Sequence, residues 1–284
     1  LSTGAEATRV DGRLPTCSEV ILASVGGPPD SGTPATSVAG RLLGVLGAFS
    51  IDRTSLSLSD ISRRTGLPLA TTHRLVGELA AWGALERDSS GRYHIGLRLW
   101  EVAALAPRGL GLRESAMPFL EDLYEATHEN VQLAVLDGVE VVYLERISGR
   151  DAVSVFSRVG GRWPAHATGV GLVLLAHAPS DVQESYLAAP LAGFTEKTIV
   201  DPRQLRRVLA EVRRTGIAVS DGQVTLDALS VAAPVRDAAG EVVAALSIVV
   251  RAGSTPANVL APAVVTAARG ISRTLRGRNG TERG

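Results

Sequence analysis

Apolar residues at Val38, Leu42, Val45, Leu46 and Phe49 recur three and four positions apart, which predicts a first amphipathic helix. Ser57-Leu-Ser-Asp60 then offers a reciprocal cap for a short second helix that carries Ile61 and ends at Thr65-Gly66. After Gly66-Leu-Pro68, the residues Leu75, Leu79 and Trp82 fall at i, i+4 and i+7. That spacing predicts a third helix that buries this stripe, stops at Gly83 and turns Thr71, Thr72 and Arg74 away from the core. Residues 84–95 read as two strands around a polar Asp88-Ser-Ser-Gly91 turn.

The rest of the chain mixes both periodicities. Helices are expected over 97–106, 112–127, 169–177 and 255–276, and strands over 131–136, 139–147, 152–156, 217–220, 228–236 and 242–250. Asp137-Gly138 turns one strand pair, and Asp201-Pro202 caps a further helix that runs through Arg214 to Gly216. Helices and strands without regular alternation predict an α+β class, with helices packed on a central antiparallel sheet. Residues 1–37, broken by Gly26-Gly-Pro-Pro29 and Ser31-Gly-Thr-Pro34, read as a disordered leader, and 277–284 as a tail.

Composition narrows the possibilities. A length of 284 residues suggests two domains, and 45% hydrophobic with 20% charged residues excludes wholesale disorder and a coiled-coil rod. Net charge is zero, yet residues 38–100 carry eight arginines against five acids, so the positive excess sits on the first segment. Lys197 is the only lysine among 29 basic residues. So global an arginine bias reflects genomic composition first and is not itself a sign of DNA binding. Cys17 stands alone, which excludes a disulfide framework and a thiolate zinc site and fits a reducing cytoplasm. The longest apolar runs fall short of the roughly 20 residues that span a bilayer, so no membrane partner is expected.

Two helices, a turn, a third helix with polar residues at its start and then a hairpin form the layout of a winged helix-turn-helix. The third helix of that layout enters the DNA major groove by its N-terminus. Thr71, Thr72, His73 and Arg74 occupy its first two turns, where hydroxyls and a guanidinium reach phosphates and base edges. Arg63 and Arg64 on the second helix, and Arg92 and Tyr93 on the wing, complete the expected DNA-binding set. On spacing alone, a three-helix protein-interaction module stays open.

The motifs Ser59-Asp-Ile-Ser-Arg-Arg-Thr-Gly-Leu-Pro68, Thr71-Thr-His-Arg-Leu75, Trp82-Gly-Ala-Leu85 and Tyr93-His-Ile-Gly-Leu-Arg-Leu99 resemble the winged helix and linker of the IclR-type bacterial transcriptional regulators. Gly160-Gly-Arg-Trp-Pro-Ala-His-Ala-Thr-Gly169, Leu174-Leu-Ala-His-Ala-Pro179, Arg213-Arg-Thr-Gly-Ile-Ala-Val219 and Val231-Ala-Ala-Pro-Val235 are similar to the family's effector-domain signatures. The resemblance spans residues 38–276. It implies a winged helix over 38–96, a linker helix over 97–108 and a GAF-like effector domain over 109–276. It further implies a homodimer, often paired into a tetramer, on near-palindromic double-stranded DNA, and more often a repressor than an activator. The effector expected is a small organic acid or aromatic.

Within that resemblance, Gly169, Val170 and Gly171 open the helix whose amides hold a carboxylate, an arrangement that free N–H groups and the positive helix end favour. Ser220, Ser230 and Ser247 fall at pocket positions, with Asp221 one residue on. Serines where some members carry an acid and a cysteine argue against a bound metal. Leu172 replaces a common lysine, and Leu69 replaces a polar residue at the opening of the reading helix.

Two other readings remain. His166 and His177 with Ser154, Ser157 or Asp181 could form a hydrolase constellation, but no Gly-x-Ser-x-Gly elbow occurs and His166 suits a structural cap better. Neither a Walker loop nor a dinucleotide fingerprint occurs, so neither an enzyme nor a cofactor is expected. A ligand sensor without DNA binding is the third reading.

Overall fold

The computed structural model describes residues 37–281 apart from 51, 107, 108 and 151. The expected leader lies outside them apart from Ser37, whereas 277–281, read as tail from the sequence, continue the closing helix to Thr281. Among the described residues the chain divides after Gly111 into two compact units.

The first unit holds α1 (Val38–Gly47), β1 (Ser55–Leu56), α2 (Leu58–Thr65), α3 (Leu69–Trp82), β2 (Leu85–Arg87), β3 (Tyr93–Ile95) and α4 (Leu97–Ala103). Local chemistry starts and stops these helices. Ser57 Oγ accepts from the Asp60 amide at 3.1 Å while Asp60 Oδ2 accepts from the Ser57 amide at 3.1 Å, closing the capping box expected there. Gly66 and Gly83 terminate α2 and α3 with φ of 68° and 88°, a region that favours glycine. The core gathers Val45, Leu56, Ile61, Leu75, Val76 and Leu85.

The buried stripe of α3 differs from the expected one. Thr72, Leu75 and Val76 are buried, whereas Trp82 is 45% exposed with the Arg98 guanidinium 4.9 Å from its ring centroid. A third strand, β1, joins the hairpin in the order β1-β3-β2.

The second unit is a three-layer arrangement around one antiparallel sheet. It contains α5 (Leu110–Thr127), β4 (Asn130–Asp137), β5 (Glu140–Ile147), β6 (Arg162–Pro164), α6 (Gly169–Ala176), α7 (Ser180–Ala188), α8 (Pro202–Thr215), β7 (Ala218–Asp221), β8 (Ala228–Arg236), β9 (Val242–Arg251) and α9 (Ala257–Thr281). The strand order is β6-β5-β4-β9-β8-β7, and this α+β sheet fits the GAF-like fold. Alternation along the strands feeds two cores. Val131, Leu133, Leu246, Ile248 and Val250 face α5 and α9, while Ala134, Tyr143, Ala232 and Ala245 face α6 and its neighbours. With helices on both faces, β9 reads as nearly continuous apolar sequence.

All of α6 is buried, as an apolar run without a polar face requires. Leu172, the departure from lysine, lies fully inside this core.

The strand expected over 152–156 does not form; the described residues there are irregular coil, and β6 takes the sheet edge instead. Helix α7 had no expectation from the sequence.

Candidate functional site

The outward face of α3 carries Thr71, His73 and Arg74, with Leu69, 52% exposed, at its start. Thr72 corrects the expectation. It is wholly buried, and its hydroxyl donates to the Pro68 carbonyl at 3.1 Å, so it holds the first turn instead of facing a groove.

Arg74 lies 2.5 Å from Glu78, one helical turn on, at a surface where such a pair is weak and readily exchanged for another anion. Arg63 pairs with Asp60, whose carboxyl is held below its usual range chiefly by the Ser57 hydroxyl, and Arg64 is exposed beside it. Arg92 is partly committed elsewhere. Its guanidinium donates to the Ser55 carbonyl at 2.7 Å and Oγ at 3.2 Å, bracing β3 against β1. Tyr93 is half-buried against the first core, with the Arg87 guanidinium 5.6 Å from its ring centroid.

A second site forms in the second unit, where a cavity opens at the start of α6. Thr168, Gly169 and Val170 line it from the helix, and Ser220 and Ser230 from β7 and β8. Gly169 packs directly on β8 there: a Cβ on it would stand 2.6 Å from Ser230 Oγ, so the serine or the helix would have to shift. The Ser220 hydroxyl donates to the Ala167 carbonyl at 3.1 Å, tying β7 to the turn before α6.

Three expected residues fall outside this wall. The Gly171 amide is taken by the capping Thr168 hydroxyl at 3.1 Å, and its missing side chain makes room for the Ala165 carbonyl. Strand alternation turns Asp221 outward, to a Lys197 ammonium 3.4 Å away. Ser247 is fully buried, does not line the cavity, and its Oγ has no hydrogen-bond partner.

Several lining residues are not among the expected site residues, although Trp163 lies within the Gly160–Gly169 motif. Tyr143, Phe156 and Trp163 give the cavity aromatic walls, with the Phe156 and Trp163 rings stacked at 6.3 Å between centroids. Burial pushes the Tyr143 phenol up, so it stays a neutral hydrogen-bonding group. Gln132 Nε2 donates to Ser157 Oγ at 2.6 Å, and Gln223 Oε1 is buried without a donor.

The His166 ring is held on both sides. Its ring lies 2.8 Å from the Tyr186 hydroxyl and 2.9 Å from the Ala192 carbonyl, and burial holds its pKa below 6.5. Those bonds spend both ring nitrogens on structure. Among the described residues no cluster of His, Cys, Asp and Glu could hold a metal, and no helix is long and apolar enough to cross a membrane.

A winged helix and a cavity-bearing antiparallel-sheet domain in one chain define the class of ligand-sensing DNA-binding regulators. The IclR helix-turn-helix domain matches residues 38–89, and the C-terminal domain of bacterial transcriptional regulator IclR matches residues 105–273. The chain belongs to the IclR family of transcriptional regulators.

An IclR homolog from Microbacterium hydrocarbonoxydans, crystallised with 4-hydroxybenzoate, is 41% identical with a TM-score of 0.82; the match covers 85% of this chain and 100% of that one. The HTH-type transcriptional regulator BhcR of Paracoccus denitrificans is 32% identical across 82% of this chain and 85% of its own length. The HTH-type transcriptional repressor AllR of Escherichia coli is 34% identical, with coverage of 68% and 72%.

Proposed function

We propose that this chain is a cytoplasmic repressor whose α3 reads a near-palindromic operator as a homodimer, and whose second unit binds a small aromatic acid that changes operator affinity. One observation carries the effector reading: a cavity at the start of α6 with walls of Tyr143, Phe156 and Trp163, and a Gln223 carbonyl oxygen left without a donor. Buried polar atoms are paired as a rule, so this acceptor suits a ligand that brings a hydroxyl or an amine. The complex of the Microbacterium homolog with 4-hydroxybenzoate supports the same class.

For DNA, the candidate contacts are Thr71, His73 and Arg74 on α3 with Arg63 and Arg64 on α2, since their side chains reach the surface. Exposed Leu97 and Trp100 on α4 and Leu105 just after it, at 63%, 62% and 80%, support a second copy covering this segment. The relatives named above are transcriptional regulators, which supports a non-enzymatic role.

A thermal-shift series with 4-hydroxybenzoate, benzoate and aliphatic carboxylates tests the effector class. A concentration-dependent rise in Tm with the aromatic acids is expected. No rise with any of them would remove the reading.

A further inference from the structure

Among the described residues, the cavity wall contains no charged side chain at all. An acid entering it would lose its hydration with no opposite charge on the surface it touches, and that is costly unless a counter-charge lies close behind.

One does. Arg146 sits on β5 directly across from Gln132 on β4, and cross-strand partners share a face. Its Nη1 donates to the Ser157 carbonyl at 3.0 Å and its Nη2 to the Asn130 side-chain oxygen at 3.0 Å. Gln132 and Ser157 both line the cavity, so the guanidinium lies one hydrogen bond behind the wall.

A break in register places it there. Tyr143 pairs with Ala134 on the cavity side, and simple alternation would bring Glu145 to that side next. The bulge between Leu133 and Ala134 leaves Leu144 as an extra residue, so Glu145 pairs with Leu133 and Arg146 with Gln132. Glu145 is thereby turned to the other face, where Arg113 takes it. The bulge exchanges an acid for a cation at the cavity.

The Arg146 backbone N–H donates to the Glu145 carboxylate at 2.9 Å, but no described carboxylate pairs with its guanidinium, whose bonded partners are neutral oxygens and whose Nε is buried with no acceptor. Burial lowers its pKa, the direction expected of a cation without a counter-ion.

We propose that Arg146 is the counter-charge for the effector: it selects a singly charged acid over a neutral molecule of the same shape, with Gln132 and Ser157 as the contacting donors. This rests on the small-molecule pocket proposed above. It also moves the anionic end away from the α6 amides, one of which Thr168 already occupies.

The test is calorimetric titration of full-length protein with 4-hydroxybenzoate and with 4-hydroxybenzamide, which differ in charge but hardly in shape. Wild-type protein should bind the acid about tenfold or more tighter than the amide, the range of a charged hydrogen bond. Arg146→Gln should bring the two affinities within about twofold, and Arg146→Lys, which keeps the charge but not the forked hydrogen bonding, should keep part of the preference. A merely structural Arg146 would weaken both probes equally and leave the ratio unchanged in Arg146→Gln, which overturns the proposal. Equal binding of acid and amide by wild-type protein overturns it even if Arg146→Gln fails to fold. Binding of neither probe overturns both this proposal and the pocket reading.

Discussion

Gly169 and Ser230 meet where α6 touches the sheet, with room for a hydroxyl but not for a methyl group: a Cβ at 169 would lie 2.6 Å from Ser230 Oγ and 3.2 Å from its Cβ. Gly169→Ala should therefore cost about 1–3 kcal/mol of stability, the usual range for overpacking. Ser230→Ala should recover part of that loss, so the double mutant should be less destabilised than the sum of the singles. Chemical denaturation of the four proteins measures it. Strict additivity would show that the two residues do not touch.

Thr72 and Arg74, two residues apart on α3, should behave as opposites. Thr72→Val removes a buried hydroxyl that donates to the Pro68 carbonyl and should cost about 1 kcal/mol of stability. Arg74→Ala should leave stability nearly unchanged, weaken DNA binding and reduce the salt slope by about 1. Unfolding curves and salt-dependent anisotropy separate the two effects.

Acid should weaken the second unit through His166, which is buried, and His177, which is half-buried. Burial lowers the folded-state pKa of His166 and His177 below 6.5, so the unfolded chain takes up the proton first. Their contribution is complete above pH 6.5 and is lost as pH falls below it toward the folded-state values. His166→Gln with His177→Gln should flatten the stability profile in that window, measured by denaturant midpoints across pH. A profile as steep as wild type would assign the acid sensitivity to other groups.

These results separate what local sequence dictates from what only folding assembles. The Ser57–Asp60 box, the Gly66 and Gly83 stops, and the Asp201 cap with Pro202 after it act within a few residues, so each was readable directly. A stripe phased on Leu75, Leu79 and Trp82 puts Thr72 on the wrong face; the phase 72, 75, 76 and 79 buries it. Residues 152–156 mislead because Val153 and Val155 alternate like strand residues, yet Val153 is buried and Val155 lines the cavity from a coil. Gln132, Tyr143 and Gln223 carry no signal, and Ser157 is singled out only for a hydrolase set, since their meeting depends on strand order and a bulge set by long-range pairing.

The most direct measurement of coupling between ligand and DNA is fluorescence anisotropy of full-length protein on the DNA upstream of its own gene, with and without saturating 4-hydroxybenzoate. A change in operator affinity of about 5- to 150-fold is expected, with an equal factor when ligand affinity is measured on the DNA-bound protein. Tight DNA binding that stays the same with the cavity filled would contradict ligand control by this acid.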